Sequence, residues 1–336
     1  MASRDQANRI LLPQKISQAE AKVQALRATF KMNPSEYYRH DRVPKSKVAV
    51  NSELEWEEKR LADLKAIRST LEENDKLRGS KPHTPKRGLV YMDDSKKDDR
   101  VKVAISTGDV DHAKHVSTIL PGMNNVPSED IGDHVKNAER VRQHSIRNAK
   151  ISSEQVATIA WMYDTPQGGQ VVSSKYATKA SHEIGSALEG MHASRHTNGI
   201  ERAHTSLLGH SYGSTTAGKV AKMIRKGVLD DLVMYGSPGA GARDTREYNL
   251  DHGRPYVSGI KSDDAVKGKG TLNSKFGNNP MFMPGVKHLA NNSERDRLFF
   301  IPWKMFDRHS EYLEERTNSL EDISRVVTKV PVKGER

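Results

Sequence analysis

The feature that most constrains this chain is the stretch 205–218, which reads TSLLGHSYGSTTAG. It has the pattern of a short buried strand, a tight turn and a helix that opens on small residues. The turn, residues 209–213, matches G-x-S-x-G, a spacing that puts Ser211 on a sharp strand-to-helix bend with its hydroxyl exposed. Glycines are needed on both sides because larger side chains would collide across so tight a bend. The pattern predicts a nucleophilic serine followed by helical N–H groups that suit an anionic transition state.

A second interpretation overlaps the first. Residues 213–219, GSTTAGK, come one residue short of the phosphate loop G-x-x-x-x-G-K-[ST], which also joins a strand to a helix. However, Val220 stands where the magnesium-binding hydroxyl should be. The strand is also expected to end near Leu208, which leaves four residues before Gly213. A nucleotide-binding protein is therefore an alternative to the serine interpretation, and a purely structural glycine turn is another.

Beyond residue 88 the chain alternates between strand-like and helix-like patterns. The first two short strands are separated by a polar segment, which favours an antiparallel hairpin. The later βαβαβ rhythm predicts an α/β fold with a mostly parallel sheet and helices on both faces, where functional sites collect at the carboxyl ends of the strands. Strands are expected at 89–92, 101–105, 115–120, 156–161, 205–208, 232–235 and 255–260, and helices at 128–148, 173–191 and 212–225.

The first 88 residues have a different pattern. Apolar residues at helical spacing predict helices over 14–31 and 52–77, and the breaker-rich stretch 79–88 reads as a linker. We therefore divide the chain into a helical arm with linker, 1–88, and an α/β domain, 89–336. The two helices suit an antiparallel hairpin or a dimerising coiled coil, which would make the chain self-associate, or they pack on the main domain.

Charge and composition narrow the classes of partner. The chain carries a net charge of +11, and its first 88 residues contribute 19 Lys and Arg against 12 Asp and Glu. A solvated helical face explains this excess more simply than nucleic acid, which we do not expect as a partner. The absence of cysteine excludes disulfides and thiolate chemistry. We predict no cofactor and no metal.

The sequence also bears on location. No apolar run approaches the roughly 20 residues needed to span a bilayer. The amino-terminal residues lack the layout of a secretory signal. A cytoplasmic protein is the expectation, and association with a virion is the other setting that we consider.

A serine needs a base to take its proton and a third group to hold that base. For a serine on this kind of bend, the acid and then the histidine follow it along the chain. Asp264 comes just past the strand 255–260 and is our preferred acid, with Asp263 as the alternative. His309 immediately precedes a helical run and is the preferred base, with His288 as the alternative.

The same chemistry needs backbone donors about 3 Å from the developing oxyanion. One donor is expected to be the N–H of Tyr212, the residue after the nucleophile. The other should come from a loop after an early strand, and the loop 121–124, PGMN, is best placed. Gly122 would let the backbone approach closely, and Met123 N–H is the expected donor.

Five blocks in order make the sequence resemble the α/β-hydrolase superfamily, and within it a branch known mainly from actinobacteria and their phages. The resemblance covers about 89–330 and implies Ser211 as nucleophile, His309 as base and Asp264 as acid. In such sequences the acid loop more often reads Asp-Pro, whereas this chain has Asp-Asp-Ala, which keeps Asp263 open. The blocks are LPGMNN (120–125), IAWMYDTP (159–166), LGHSYGS (208–214), DDLVMYGSPG (230–239) and HSEY (309–312).

The resulting hypothesis is a serine hydrolase of the esterase or lipase type that cleaves a small-molecule or lipid ester, the latter including cell-envelope lipids. Its apolar segment 276–306 has the composition of a lid or an acyl pocket, and equally that of core. The alternative from a different class is a non-catalytic, hydrolase-like structural or virion-associated binding protein that assembles through its helical arm.

Overall fold

The computed structural model describes residues 2–31, 45–251, 253–259, 275–290 and 307–334. Across these ranges, none of the helices combines the length and apolar character that crossing a bilayer requires. The helices are α1 (Ala2–Lys31), α2 (Lys45–Ser80), α3 (Pro127–Ala149), α4 (Lys175–Thr197), α5 (Tyr212–Met223) and α6 (Asn318–Val327). The strands are β1 (Arg87–Asp93), β2 (Lys102–Thr107), β3 (His115–Leu120), β4 (Val156–Met162), β5 (His204–His210), β6 (Asp231–Tyr235), β7 (Pro255–Ser258) and β8 (Lys287–His288).

The strands form one sheet in the order β1-β2-β4-β3-β5-β6-β7-β8. β2 pairs antiparallel with both β1 and β4, and the remaining neighbours are parallel. β5 therefore lies in the middle of the sheet, and the carboxyl ends of β3, β4, β5 and β6 share one edge. The expected α/β fold with a mostly parallel sheet is confirmed.

A hydrophobic core lies on each face of the sheet because successive side chains of a strand point to opposite faces. In β5, Leu207 packs on the face covered by α4 and α5, whereas Leu208 packs on the face covered by α3 and α6. Both side chains are completely buried. β5 is buried on both faces, as a central parallel strand requires, and this double burial sets the position of the turn that follows it.

The two N-terminal helices pack on each other and on the main domain. Buried residues of α1 and α2, including Ile16 and Ile67, belong to the same core as Leu208 of β5. α1 also contacts β1, and α2 contacts α3. The division of the chain at residue 88 and self-association through these helices stay predictions.

Several element boundaries differ from expectation, including the end of α4, which lies at Thr197 rather than at residue 191. α1 begins at Ala2 rather than at residue 14 and continues through Pro13, where burial of neighbouring Leu12 offsets the backbone bond that proline cannot make. α2 continues to Ser80, and β1 begins at Arg87, so the expected linker is shorter. β5 continues to His210 rather than ending near Leu208. Short apolar runs gave the centres of β1 to β7 correctly, whereas β8 was not predicted, and tertiary contacts determine the ends of the elements.

Candidate active site

Ser211 lies at a strained bend between β5 and α5. Its backbone has φ 51° and ψ −126°, in a region where side-chain-bearing residues are rare. Such a conformation costs on the order of 1–3 kcal/mol and persists only where surrounding contacts hold it. Here Ser211 N–H donates to the Tyr235 carbonyl at 2.9 Å, and Ser214 N–H donates to the Ser211 carbonyl at 2.9 Å. The bend is thus fixed from β6 and from the first turn of α5.

The two glycines of the motif stand where no side chain fits. A Cβ built on Gly209 would lie 2.5 Å from the Gly213 carbonyl oxygen. A Cβ built on Gly213 would lie 2.4 Å from the Pro121 carbonyl oxygen. Real Cβ atoms do not come this close to backbone atoms, so both glycines are required by contact rather than by flexibility. These contacts press the start of α5 against the loop after β3.

That loop also passes the serine side chain. A Cβ built on Gly122 would lie 3.5 Å from Ser211 Oγ and 3.0 Å from Ser211 Cβ. The Tyr163 hydroxyl donates to the Pro121 carbonyl at 3.3 Å and accepts from the Thr216 hydroxyl at 3.1 Å. The loop and helix α5 are therefore tied together through a buried tyrosine, with the hydroxyl of Ser211 beside their junction.

Met123 lies in the same loop, partly buried against the core. The next residue, Asn124, has φ 60° and donates its N–H to the Pro166 carbonyl at 3.0 Å. Its side-chain oxygen accepts from Gly168 N–H at 2.8 Å. Two hydrogen bonds from the segment after β4 thus hold the loop, which fixes the direction of the peptide groups on either side of Met123.

Tyr212 is the first residue of α5, so its N–H is among those at the helix start that have no intrahelical partner. Its side chain is buried, and its hydroxyl donates to the Ser173 carbonyl at 2.6 Å and accepts from Ala177 N–H at 3.2 Å. Burial raises the pKa of Tyr212 to about 12, so the phenol stays protonated. Both predicted oxyanion donors therefore belong to residues in braced segments.

His309 lies in the 3-10 helix Asp307–Leu313 and is half-buried. His210 Nε2 donates to the His309 carbonyl at 2.6 Å, and the two rings lie 4.7 Å apart between centroids. The His210 ring also stacks on Tyr235 at 5.2 Å. The residue next to Ser211 in the chain thus brings the segment of His309 to the carboxyl end of β5.

The other predicted site residues lie elsewhere. His288 is in β8 and pairs with Val257 of β7, three strands from β5 in the sheet. At about 4.8 Å between strands, this places His288 about 14 Å from β5. Asp263 and Asp264 lie outside the described residues, as do residues 291–306 of the apolar segment. Within its described part, Phe276 and Met283 belong to the core, whereas Phe282 is 79% exposed.

A cavity of about 150 Å³ opens beside the bend. Its lining includes Gly122 and His210, together with polar side chains from the loop after β3 and from α3, namely Asn125, His134 and Asn137. Burial lowers the pKa of His134 to about 4, and its Nε2 lies 3.0 Å from the Ile119 carbonyl, so it is a neutral donor. The cavity is small and its exposed lining is mostly polar; it includes His210, the chain neighbour of Ser211, but not Ser211 itself.

Asp164 lies two residues beyond the end of β4 and is buried. Burial, together with the nearby charges of Asp98 and Asp99, raises the pKa of Asp164 to about 7. The next residue, Thr165, donates its hydroxyl to the Asn125 carbonyl at 2.8 Å. Asp164 thus stands in the segment that braces the loop beside the serine, and it holds a proton through the acidic range.

The phosphate-loop interpretation is contradicted by the backbone. Residues 213–219 lie inside α5 rather than in a loop before it. A Cβ built on Gly218 would lie 1.8 Å from the Ala240 carbonyl oxygen, so this glycine contacts protein and not ligand. β5 ends at His210, so the expected gap of four residues between the strand and Gly213 was wrong. The segment still lacks the loop of free backbone N–H groups that would hold a phosphate, because it is helical from Tyr212 onward.

The described residues also bear on metal binding at the site. In the ranges that the structure describes, no three His, Asp or Glu side chains come together as a metal site requires. Sequence reasoning treated His210 only as a part of the elbow and missed its contact with His309. Alternation along β5 was the available signal, because it places His210 on the same face as Leu208 and toward Tyr235 of β6.

Comparisons with known proteins agree with this architecture. A family model described as alpha/beta hydrolase matches residues 96–274, just over half of the chain. Uncharacterised proteins of Mycobacterium tuberculosis H37Rv and Mycobacterium bovis are each 29% identical over 242 residues, which cover 70% of this chain and 84% of theirs. The resemblance to the α/β hydrolases is confirmed.

Solved structures align with much of this chain at low identity. A dienelactone hydrolase from Anabaena variabilis aligns with 69% of this chain and 97% of its own at 11% identity and a TM-score of 0.38. An esterase from Pyrobaculum calidifontis aligns with 79% of this chain and 93% of its own at 11% identity and a TM-score of 0.41.

Proposed function

Because this chain belongs to the alpha/beta hydrolase family, we propose that it is a serine hydrolase that cleaves a carboxylic ester through an acyl-enzyme. Ser211 Oγ attacks the ester carbonyl while His309 takes its proton. The tetrahedral intermediate collapses as the ester C–O bond breaks, and His309 returns the proton to the leaving alcohol. Water then attacks the acyl-enzyme by the same path and releases the acid.

The remaining groups support this step. Asp264, or Asp263 in its place, orients the imidazole of His309. The N–H groups of Tyr212 and Met123 hold the oxyanion, which preorganised donors stabilise strongly in a site that excludes water. The observation that carries the proposal is the strained Ser211 backbone, with the loop of Gly122 packed against its side chain.

The cavity lined by Gly122 and His210, which adjoins Ser211 without including it in the lining, supports a short ester. Its volume of about 150 Å³ is below the roughly 300–1,000 Å³ that is usual for small-molecule pockets, and its lining is largely polar. We expect p-nitrophenyl acetate to be turned over faster than p-nitrophenyl palmitate. The reverse order would favour a lipid ester and an acyl pocket built from other residues.

Labelling with a fluorophosphonate probe tests the nucleophile. The wild-type protein should be labelled at Ser211, and Ser211→Ala should lose both labelling and turnover of short p-nitrophenyl esters. Its unfolding free energy should change by no more than about 1 kcal/mol, because alanine and serine are equally strained at this φ. Ser206→Ala is the matched control, since Ser206 is a buried serine of β5 whose hydroxyl has no hydrogen-bond partner among the described residues.

Two results would count against the proposal. If folded wild-type protein is not labelled, the chain is better explained as a non-catalytic binding protein with a hydrolase fold. If Ser211→Ala retains labelling and turnover, the nucleophile is a different residue.

A further inference from the structure

A second cavity, of about 360 Å³, lies beside the later turns of α5. Lys219 comes eight residues after Ser211, which is about 12 Å along a helix axis, and the two cavities share no lining residue. The charged side chains of the second cavity are four cations and one carboxylate, from Lys219, Lys222, Arg243, Lys275 and Glu247. It is a separate and strongly positive site.

The one carboxylate in this lining, that of Glu247, already has partners on both of its oxygens. Lys222 Nζ lies 2.5 Å from Glu247 Oε2. The other oxygen, Glu247 Oε1, accepts from Arg243 N–H at 2.6 Å and from Asp244 N–H at 3.0 Å. Glu247 therefore neutralises Lys222 and holds the loop backbone, and neither of its carboxylate oxygens pairs with the side chain of Lys219 or Arg243.

Lys219 is the clearest case of an uncompensated charge. It is half-buried, and burial lowers its pKa, with the nearby charge of Lys222 lowering it further. The two lysines are three residues apart on α5 and so share a helix face. In the part of the chain that the structure describes, no carboxylate forms an ion pair with Lys219. A partly desolvated ammonium beside another cation is destabilising unless an anion binds it.

The cavity is also built on a rigid frame. A Cβ built on Gly241, whose φ is 66°, would lie 2.5 Å from the Thr215 carbonyl oxygen, so the loop after β6 touches α5 directly. Gly241 N–H donates to the Phe276 carbonyl at 2.8 Å, and Asn278 N–H donates to the Ala242 carbonyl at 2.8 Å. The cationic side chains therefore project from interlocked backbone segments, which preorganises them for a ligand.

We propose that this cavity binds a small molecule that carries a phosphate or diphosphate group, with Lys219 and Arg243 as the main contacts. A guanidinium offers paired donors to phosphate oxygens, and several cations favour a multiply charged anion over a monocarboxylate. The volume falls within the range of ordinary ligand pockets. The lysine of the GSTTAGK segment, Lys219, thus belongs to this site. Its side chain extends from the side of α5, whereas the lysine of a phosphate loop lies at the start of a helix.

Pyrophosphate is the probe for a soluble ligand. Thermal unfolding and calorimetric titration of the full chain should show saturable pyrophosphate binding beyond the effect of sodium chloride at equal ionic strength. Lys219→Met should weaken this binding at least about tenfold, because a charge-assisted contact is lost. Lys226→Met is the matched control, since Lys226 is exposed after α5 and outside the cavity. Without pyrophosphate, Lys219→Met should unfold at the same temperature as wild type or higher.

A second arm separates free from membrane-borne phosphate, using sedimentation with phosphatidate vesicles and phosphatidylcholine vesicles as the blank. Binding to phosphatidate that Lys219→Met removes, without pyrophosphate binding, would assign the same chemistry to a lipid headgroup. Equal behaviour of wild type and Lys219→Met in both arms overturns the proposal. Pyrophosphate binding should survive in Ser211→Ala, so this test is independent of the proposed hydrolase activity.

Discussion

The serine and the histidine of the candidate site are held in different ways. Ser211 sits between β5 and α5, and carbonyl oxygens of its own turn and of the loop after β3 exclude any larger residue at Gly209 and Gly213. His309 lies 99 residues beyond His210 and is held there through its carbonyl oxygen and its ring contacts. The segment before it, 291–306, lies outside the described residues.

This difference shows which half of a catalytic site a short motif can specify. The serine side is built from backbone contacts between residues close in sequence or on adjacent strands, so a five-residue pattern suffices. The histidine side depends on contacts between distant segments, which no local pattern encodes. The following predictions test this contrast, from the largest expected effect to the smallest.

The largest effect should come from the base. His309→Ala is expected to lower kcat/KM for a short p-nitrophenyl ester by roughly 10⁴-fold, because Ser211 loses its proton acceptor. His288→Ala, at about 14 Å from β5, should change it by less than about threefold. Steady-state kinetics on both variants decide between the two histidines, and equal losses would mean that neither assignment holds.

The stability of the protein should depend on pH through Asp164, which lies in the segment that braces the loop beside Ser211. The pKa of Asp164 is raised to about 7, so ionising it costs the folded state free energy. The native protein binds more protons than the unfolded chain, and stability falls as pH rises from about 4 through 7. Asp164→Asn should remove this fall and stabilise the protein by up to about 4 kcal/mol at pH 8, with little difference at pH 4.

Urea denaturation at the two pH values measures this difference. Asp133→Asn is the control, since Asp133 is an exposed acid of α3. An Asp164→Asn variant that is no more stable than wild type at pH 8 would mean that the aspartate is ionised in the folded protein at no cost.

Close packing at the bend should make it intolerant of a single methyl group. Gly213→Ala is expected to destabilise the protein by about 3 kcal/mol, because the added Cβ would meet the Pro121 and Leu120 carbonyl oxygens at 2.4 and 2.8 Å. Gly185→Ala in α4 is the matched control, since its Cβ would meet nothing closer than 3.8 Å. It should gain up to about 1 kcal/mol from helix propensity. Similar stabilities of the two variants would show that the backbone at the bend can shift to accommodate a methyl group at little cost.

The smallest effect should come from the contact that joins the two sides. His210→Phe keeps a ring against Tyr235 but cannot donate to the His309 carbonyl, so kcat should fall about tenfold. His210→Gln retains a donor and should recover part of the loss. If both variants match wild type in kcat and in fluorophosphonate labelling rate, His309 is positioned by other contacts.

The α/β fold was readable because its signals are local. Apolar runs marked the centres of strands such as β3, which was predicted with its observed bounds, 115–120. The ends were less readable: Pro13, which signals a helix break in the sequence, lies inside α1, a helix that packs on α2 and β1. The phosphate-loop alternative failed for a related reason, because spacing alone cannot show that Gly218 is pressed against Ala240.

By itself, the sequence determined that Ser211 follows a buried strand at a bend flanked by glycines, because no residue larger than glycine fits at Gly209 or Gly213. It also determined the alternation that builds the sheet. Only the tertiary structure decided that His210 holds the His309 segment, that His288 lies strands away, and that Lys219 faces a cationic cavity. These are contacts between segments far apart in the chain, and their geometry depends on how whole layers pack.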